Sequence, residues 1–158
     1  MTKTNALSSI NAIFKGCTSL VDAPVIPDSV LDMSEAFLGD SNIYTASAFP
    51  ESVEDISSAY ADCISLEKAA SIPASVINCD SCYSGCSNLY GELSINTNTE
   101  DCANLLSNAV TSGKTLKLKG KSGRLFEIQQ DSGSRYVTIK DTEKAEKNAK
   151  KLERQNNQ

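Results

Sequence analysis

Residues 13–30 read "IFKGCTSLVDAPVIPDSV", residues 36–53 read "AFLGDSNIYTASAFPESV", and residues 59–76 read "AYADCISLEKAASIPASV". Aligned, the three stretches agree column by column at a lag of 23. Phe14, Phe37, Tyr60 and Tyr83 form one column. Leu20, Ile43, Leu66 and Leu89 form another, and Pro27, Pro50 and Pro73 a third, followed by Val30, Val53 and Val76. Units therefore run over 8–30, 31–53, 54–76 and 77–99, with a degraded fifth from Glu100. A fixed period of this size is the mark of a stacked repeat, because one unit is too small to bury its own apolar face.

The same grid places the cysteines. "CDSCYSGC" (79–86) holds three of the six. Cys79 and Cys102 share a column with Ile10, Met33 and Ile56, and Cys82 shares one with Ile13, Ala36, Ala59 and Leu105. Cys17, Cys63 and Cys86 align with Asp40 and Ala109. Thiols in aliphatic columns behave as small buried hydrophobes. A structural zinc site wants four ligands; the chain has no histidine and the cluster offers three thiols, so a carboxylate such as Asp80 is the available fourth, but the columns point otherwise. A disulfide is the other alternative, open to cysteines one repeat apart if units stack at about a strand spacing. The reading adopted is six reduced thiols, no metal and no cofactor.

Those columns resemble the BspA-like leucine-rich repeats of bacterial surface proteins. "F-x-G-C-T-S-L" (14–20), "P-D-S-V" (27–30) and "M-S-E-A-F" (33–37) carry the resemblance, which covers about residues 8–110. It departs where Asp40 replaces the cysteine and where "INTNT" (95–99) replaces the Pro-x-Ser-Val step. The resemblance implies an α/β repeat solenoid with a short strand per unit near "SLVDA", "NIYTA", "SLEKA" and "NLYGE". A helical turn near "MSEAF" and "ISSAY" would lie opposite. Ser29, Ser52 and Ser75 follow the proline turns and are placed to cap such helical segments. Three parts are expected: a leucine-rich repeat solenoid over 8–113, a β-meander cap over 114–140 and a charged helical tail over 141–158.

The meander rests on "TLKLKG" (115–120), "RLFEIQQ" (124–130) and "RYVTIK" (135–140), which alternate apolar and polar residues between Gly-containing turns. The expected pairing is antiparallel. In the tail, Glu143–Lys147 and Glu146–Lys150 are favourable i,i+4 pairs, and Ala145, Ala149 and Leu152 make a thin apolar stripe. Such a helix frays alone, so Lys144, Lys147, Lys151 and Leu152 are expected to engage an assembly partner or a second copy.

Charge is divided. Residues 1–113 carry three Lys/Arg against fourteen Asp/Glu, a net of −11, and residues 114–158 carry twelve against six, a net of +6. The basic end lacks the aromatic interleaving of a single-strand binder, so no nucleic-acid partner is expected. No apolar run approaches 18 residues, which excludes a membrane span. "MTKTNALSSINAIF" lacks the apolar stretch of a secretory signal, which points to the cytoplasm or a carried particle rather than classical secretion.

Catalysis is not expected. Histidine is absent, and the pairs Glu54–Asp55 and Glu100–Asp101 sit on turns. "SGKT" (112–115) and "GKS" (120–122) lack the glycine a phosphate-binding loop needs five positions earlier, where Asn108 and Thr115 stand. The expected function is non-catalytic recognition of a protein or glycan, as in adhesion, through an exposed column of Tyr44, Thr45, Glu67, Lys68 and Tyr90. The alternative is a structural or host-attachment component of a bacteriophage virion or other large assembly.

Overall fold

The structure is a computed structural model that describes residues 6–157. Its regular elements are β1 (Gly91–Ser94), β2 (Leu116–Lys119), α1 (Leu125–Ser132), β3 (Val137–Ile139) and α2 (Thr142–Asn156). The strands form one sheet in the order β1-β2-β3, all parallel. Leu93 pairs with Leu118, and Leu118 with Ile139. Leu116, Leu118 and Val137 turn inward, while Glu92 and Lys117 face out.

The antiparallel meander expected over 114–140 is therefore corrected. "TLKLKG" and "RYVTIK" do hold strands, but parallel ones, and "RLFEIQQ" is helix α1 rather than a strand. A parallel pair needs a crossover, and α1 supplies it. Leu125, Ile128 and Ser132 are its buried residues, spaced as one helix face requires. Gly133, at φ 66, ends the helix in the left-handed region, and its N–H donates to the Gln130 carbonyl.

The α/β leucine-rich repeat solenoid expected over 8–113 is corrected as well. The described residues hold two helices and one three-stranded parallel sheet, all within 91–156, and no helix or strand of 23-residue units. The stretches "MSEAF" and "ISSAY" are turns. Within them Ala36 N–H donates to Met33 O at 3.0 Å, and Ala59 N–H to Ile56 O at 3.1 Å. The alternating donors leave the turn: Phe37 N–H reaches Ala59 O at 2.8 Å and Tyr60 N–H reaches Cys82 O at 2.9 Å. A helix keeps every donor for its own carbonyl four residues back. Glu35 (φ 56) and Ser58 (φ 53) lie in the left-handed region, which a right-handed helix excludes.

Residues 9–90 are consequently turns joined by isolated parallel bridges. Ser9 pairs with Asp32, Asp32 with Asp55, and Asp55 with Asn78. Asp32 Oδ1 accepts from the Ser34 N–H at 2.9 Å and hydroxyl at 2.6 Å, and Asp55 holds Ser57 in the same way. These Asx turns fix the local bend. The serines expected to cap helices instead donate to earlier carbonyls: Ser29 to Leu7, Ser52 to Asp28 and Ser75 to Val53.

The core is continuous across both regions. Phe14, Phe37, Tyr60 and Tyr83 form one ring stack, with successive centroids 5.4, 4.9 and 5.8 Å apart. Ile43, Leu66 and Leu89 are fully buried beside it. The Tyr60 hydroxyl accepts from the Ser47 N–H at 2.9 Å, and that of Tyr83 from the Ala70 N–H at 2.8 Å. Both buried hydroxyls thus have partners, as low-dielectric sites demand. Cys63, Cys79, Cys82, Cys86 and Cys102 are buried. Cys17 is exposed, unlike Cys63 and Cys86 of the same column.

Helix α2 packs on its own chain. Asp141 caps it, accepting from the Lys144 N–H at 3.0 Å. Ala145 is buried, Asn148 Nδ2 donates to Gly120 O at 3.3 Å, and Leu152 lies against Gly123.

Candidate functional site

The first site residues lie along one ladder. Thr45 bridges Lys68, the Glu67 N–H donates to Tyr44 O at 2.8 Å, and the Tyr90 N–H donates to Glu67 O at 3.1 Å. Tyr44, Glu67 and Tyr90 are therefore neighbours in one row, in successive segments about a strand spacing apart. Tyr44 is 54% exposed, Thr45 and Lys68 are exposed, and Glu67 and Tyr90 are half-buried.

That row does not end where the repeat does. The Gly91 N–H donates to Thr115 O at 2.9 Å, and the Leu116 N–H to Tyr136 O at 3.0 Å. Strand alternation sends Leu116 and Val137 into the core; Thr115 and Tyr136 continue the row, Thr115 exposed and Tyr136 half-buried and packed in part against the core. Lys114 Nζ stands 4.4 Å from the Tyr90 ring centroid. The Arg135 guanidinium stands 5.0 Å from the Tyr136 ring and bonds its hydroxyl at 2.8 Å. Two of the row's three tyrosines thus carry a cation over an aromatic face.

Beside the row, the outer face of the sheet is basic. Glu92 is its one acidic side chain on β1–β3, and it accepts from Lys119 at 2.8 Å and Lys140 at 2.6 Å. These hydrogen bonds, Lys119's first, hold the Glu92 carboxyl down to about 2. At the carboxyl ends of the strands lies an open cleft of about 380 Å3. Lys119, Lys121, Lys140 and Lys144 line it together with the single carboxylate of Asp141, and Leu125 and Ala145 form its apolar wall. Glu92 occupies two of these ammonium groups; Lys121 and Lys144 are exposed at the rim.

The four tail residues separate. Lys144 belongs to the cleft. Lys147 is exposed and pairs with Glu143 at 3.8 Å, and Lys151 is exposed. Leu152 is half-buried against Gly123, so it serves the docking of α2 on its own chain. Arg135, Tyr136 and Lys114 were missed by the column reading. They lie beyond the 23-residue lag, since Gly91 pairs with Leu116 and Leu116 with Val137. The signal available was the alternation of "RYVTIK", which already placed Tyr136 beside an inward Val137.

Among the described residues, no group of three or more His, Cys, Asp or Glu side chains converges on a metal position. No helix among them is long and apolar enough to cross a membrane. Comparison with protein-family models, with curated proteins and with solved structures finds no match.

Proposed function

We propose that the chain is a non-catalytic recognition module that binds an acidic protein or glycan ligand. The ligand lies along Tyr44, Tyr90 and Tyr136 and places a negative group in the lysine cleft. The observation that carries this reading is the row of outward tyrosines running into a basic sheet face. Tyrosine gives contact area and a hydrogen bond at low entropic cost. A cleft with a surplus of ammonium groups favours carboxylate, sulfate or phosphate and speeds their encounter. Nothing in the row or cleft pairs a nucleophile with a base, so binding rather than turnover suits it.

The test is titration calorimetry with a sulfated polysaccharide and a neutral one of equal length. Wild type should prefer the sulfated chain, increasingly so at low salt. Tyr44→Ala with Tyr90→Ala should weaken that binding at least tenfold, about 1.4 kcal/mol. Equal binding by wild type and double variant, or a preference for the neutral chain, overturns the reading.

A second reading is favoured by the charge division, −11 before Lys114 and +6 from it onward. The basic sheet and α2 could then meet the acidic body of another copy, as in a particle or other assembly. Native mass spectrometry at low and high salt distinguishes the two, since only the second gives salt-sensitive oligomers without added ligand.

A further inference from the structure

We infer that Cys79 and Cys102 form a modification site, a thiol pair that a small hydroperoxide closes into a disulfide between adjacent segments. Their Sγ atoms stand 2.7 Å apart. A disulfide is about 2.05 Å long, so closure needs a movement of tenths of an ångström. The backbones are already side by side, with the Cys79 N–H donating to Asp101 O at 2.8 Å. Neighbouring strands stand about 4.8 Å apart, within the roughly 4.4–6.8 Å that bridged Cα atoms span. No segment has to shift.

Sequence spacing alone does not select this pair. Cys63 and Cys86 have the same separation of 23 positions. Yet the Cys63 thiol donates to Phe37 O at 3.2 Å, and the Cys86 thiol to Tyr60 O at 3.0 Å. Each points at a carbonyl, whereas Cys79 and Cys102 point at each other. The pair is also chemically uneven. Either sulfur can donate in this contact; the contact with Cys79 and then the Arg124 guanidinium lower the Cys102 thiol, which is also the less buried of the two. Cys102 is therefore the nucleophile and Cys79 the resolving thiol.

The Cys102 thiolate attacks one oxygen of the hydroperoxide. The O–O bond breaks, and the departing oxygen takes a proton and leaves as alcohol or water. Cys102 is now a sulfenic acid. Cys79 Sγ attacks Cys102 Sγ, the S–O bond breaks, and the Cys79 proton leaves with the hydroxide as water. Two thiols have lost two electrons and two protons, and the hydroperoxide has been reduced. The Cys79 side is fully buried and Cys102 is 5% exposed, so a small oxidant is required.

The experiment treats the full chain with hydrogen peroxide, then denatures and alkylates it without reductant. Cleavage after glutamate and before aspartate separates Cys79 (peptide 68–79), Cys82 with Cys86 (80–92) and Cys102 (101–127). The expected product joins 68–79 to 101–127 at about two mass units below the sum, two hydrogens lost. Cys82 and Cys86 remain alkylated. Cys102→Ser should abolish the link and leave Cys79 open to alkylation once unfolded. Six alkylated cysteines after peroxide, a link through Cys63 or Cys86, or separate oxidation of the two sulfurs overturns the inference.

Discussion

Across residues 9–90, alternate backbone donors leave their own turn for the carbonyl 22 positions later, as in Phe37 to Ala59. Within residues 91–156, β1–β3, α1 and α2 use their donors inside and between named strands and helices, and Lys119, Lys140 and Lys147 form ion pairs on the surface. The first region owes its order to buried columns and cross-segment bonds. The second owes it to local pattern: an inward–outward alternation in β2 and a helix face in α1. Order without regular elements thus depends on long-range neighbours, and a defect there is felt on both sides. Order within helices and strands is partly self-contained, though short helices still need a docked face.

The largest expected effect tests that dependence. Leu66 is fully buried between Ile43 and Leu89. Leu66→Ala should cost about 2–5 kcal/mol by urea unfolding. Because the core runs through both regions, hydrogen exchange should accelerate in β2 as well as in the turns. Protection lost only in the turns would show that the two regions unfold separately.

A smaller effect concerns Asp40, buried in the cysteine column with neither carboxylate oxygen partnered. Burial pushes its carboxyl up from 3.8 to about 6. The neutral acid is the form the fold accepts, so its stabilising share is intact below about pH 4 and lost as pH rises through about 6. Wild type should lose about 1–3 kcal/mol between about pH 4 and pH 7.5 through this group. Asp40→Ala should remove that part of the pH slope, since Ala109 already fills the column. An unchanged slope in the variant would place the titration elsewhere.

The smallest effect belongs to the second region. Glu92→Gln breaks both ion pairs on the sheet, yet these groups are exposed and screened. Its depressed carboxyl contributes only above the unfolded value and loses that contribution as pH falls toward about 2. Thermal unfolding at neutral pH should be nearly unmoved, while affinity for a sulfated chain should rise as Lys119 and Lys140 are released. A large drop in the unfolding midpoint would mean that the sheet leans on its surface charges.

The sequence made the columns legible because each is repeated, and Phe14, Phe37, Tyr60 and Tyr83 are a ring stack in the structure. Backbone conformation was less legible. "MSEAF" has good helix formers, but Glu35 takes a positive φ that neighbouring segments impose. "RLFEIQQ" suits a strand or a helix in apolar content, and only the parallel pairing of β2 with β3 requires the helix. Of the site, Tyr44 and Tyr90 were readable from the column. Lys114, Arg135 and Tyr136 were not, since they join the row through sheet pairing beyond the repeat.

The two core tyrosines have an optical consequence. The chain has no tryptophan, so its five tyrosines dominate its near-ultraviolet absorbance. Burial raises the phenols of Tyr60 and Tyr83 far above their ordinary range, while Tyr44, Tyr90 and Tyr136 meet solvent. In alkali the folded chain withholds these two inner phenols from ionisation until it opens. Phenolate absorbance therefore reads the packing of the stack without any label.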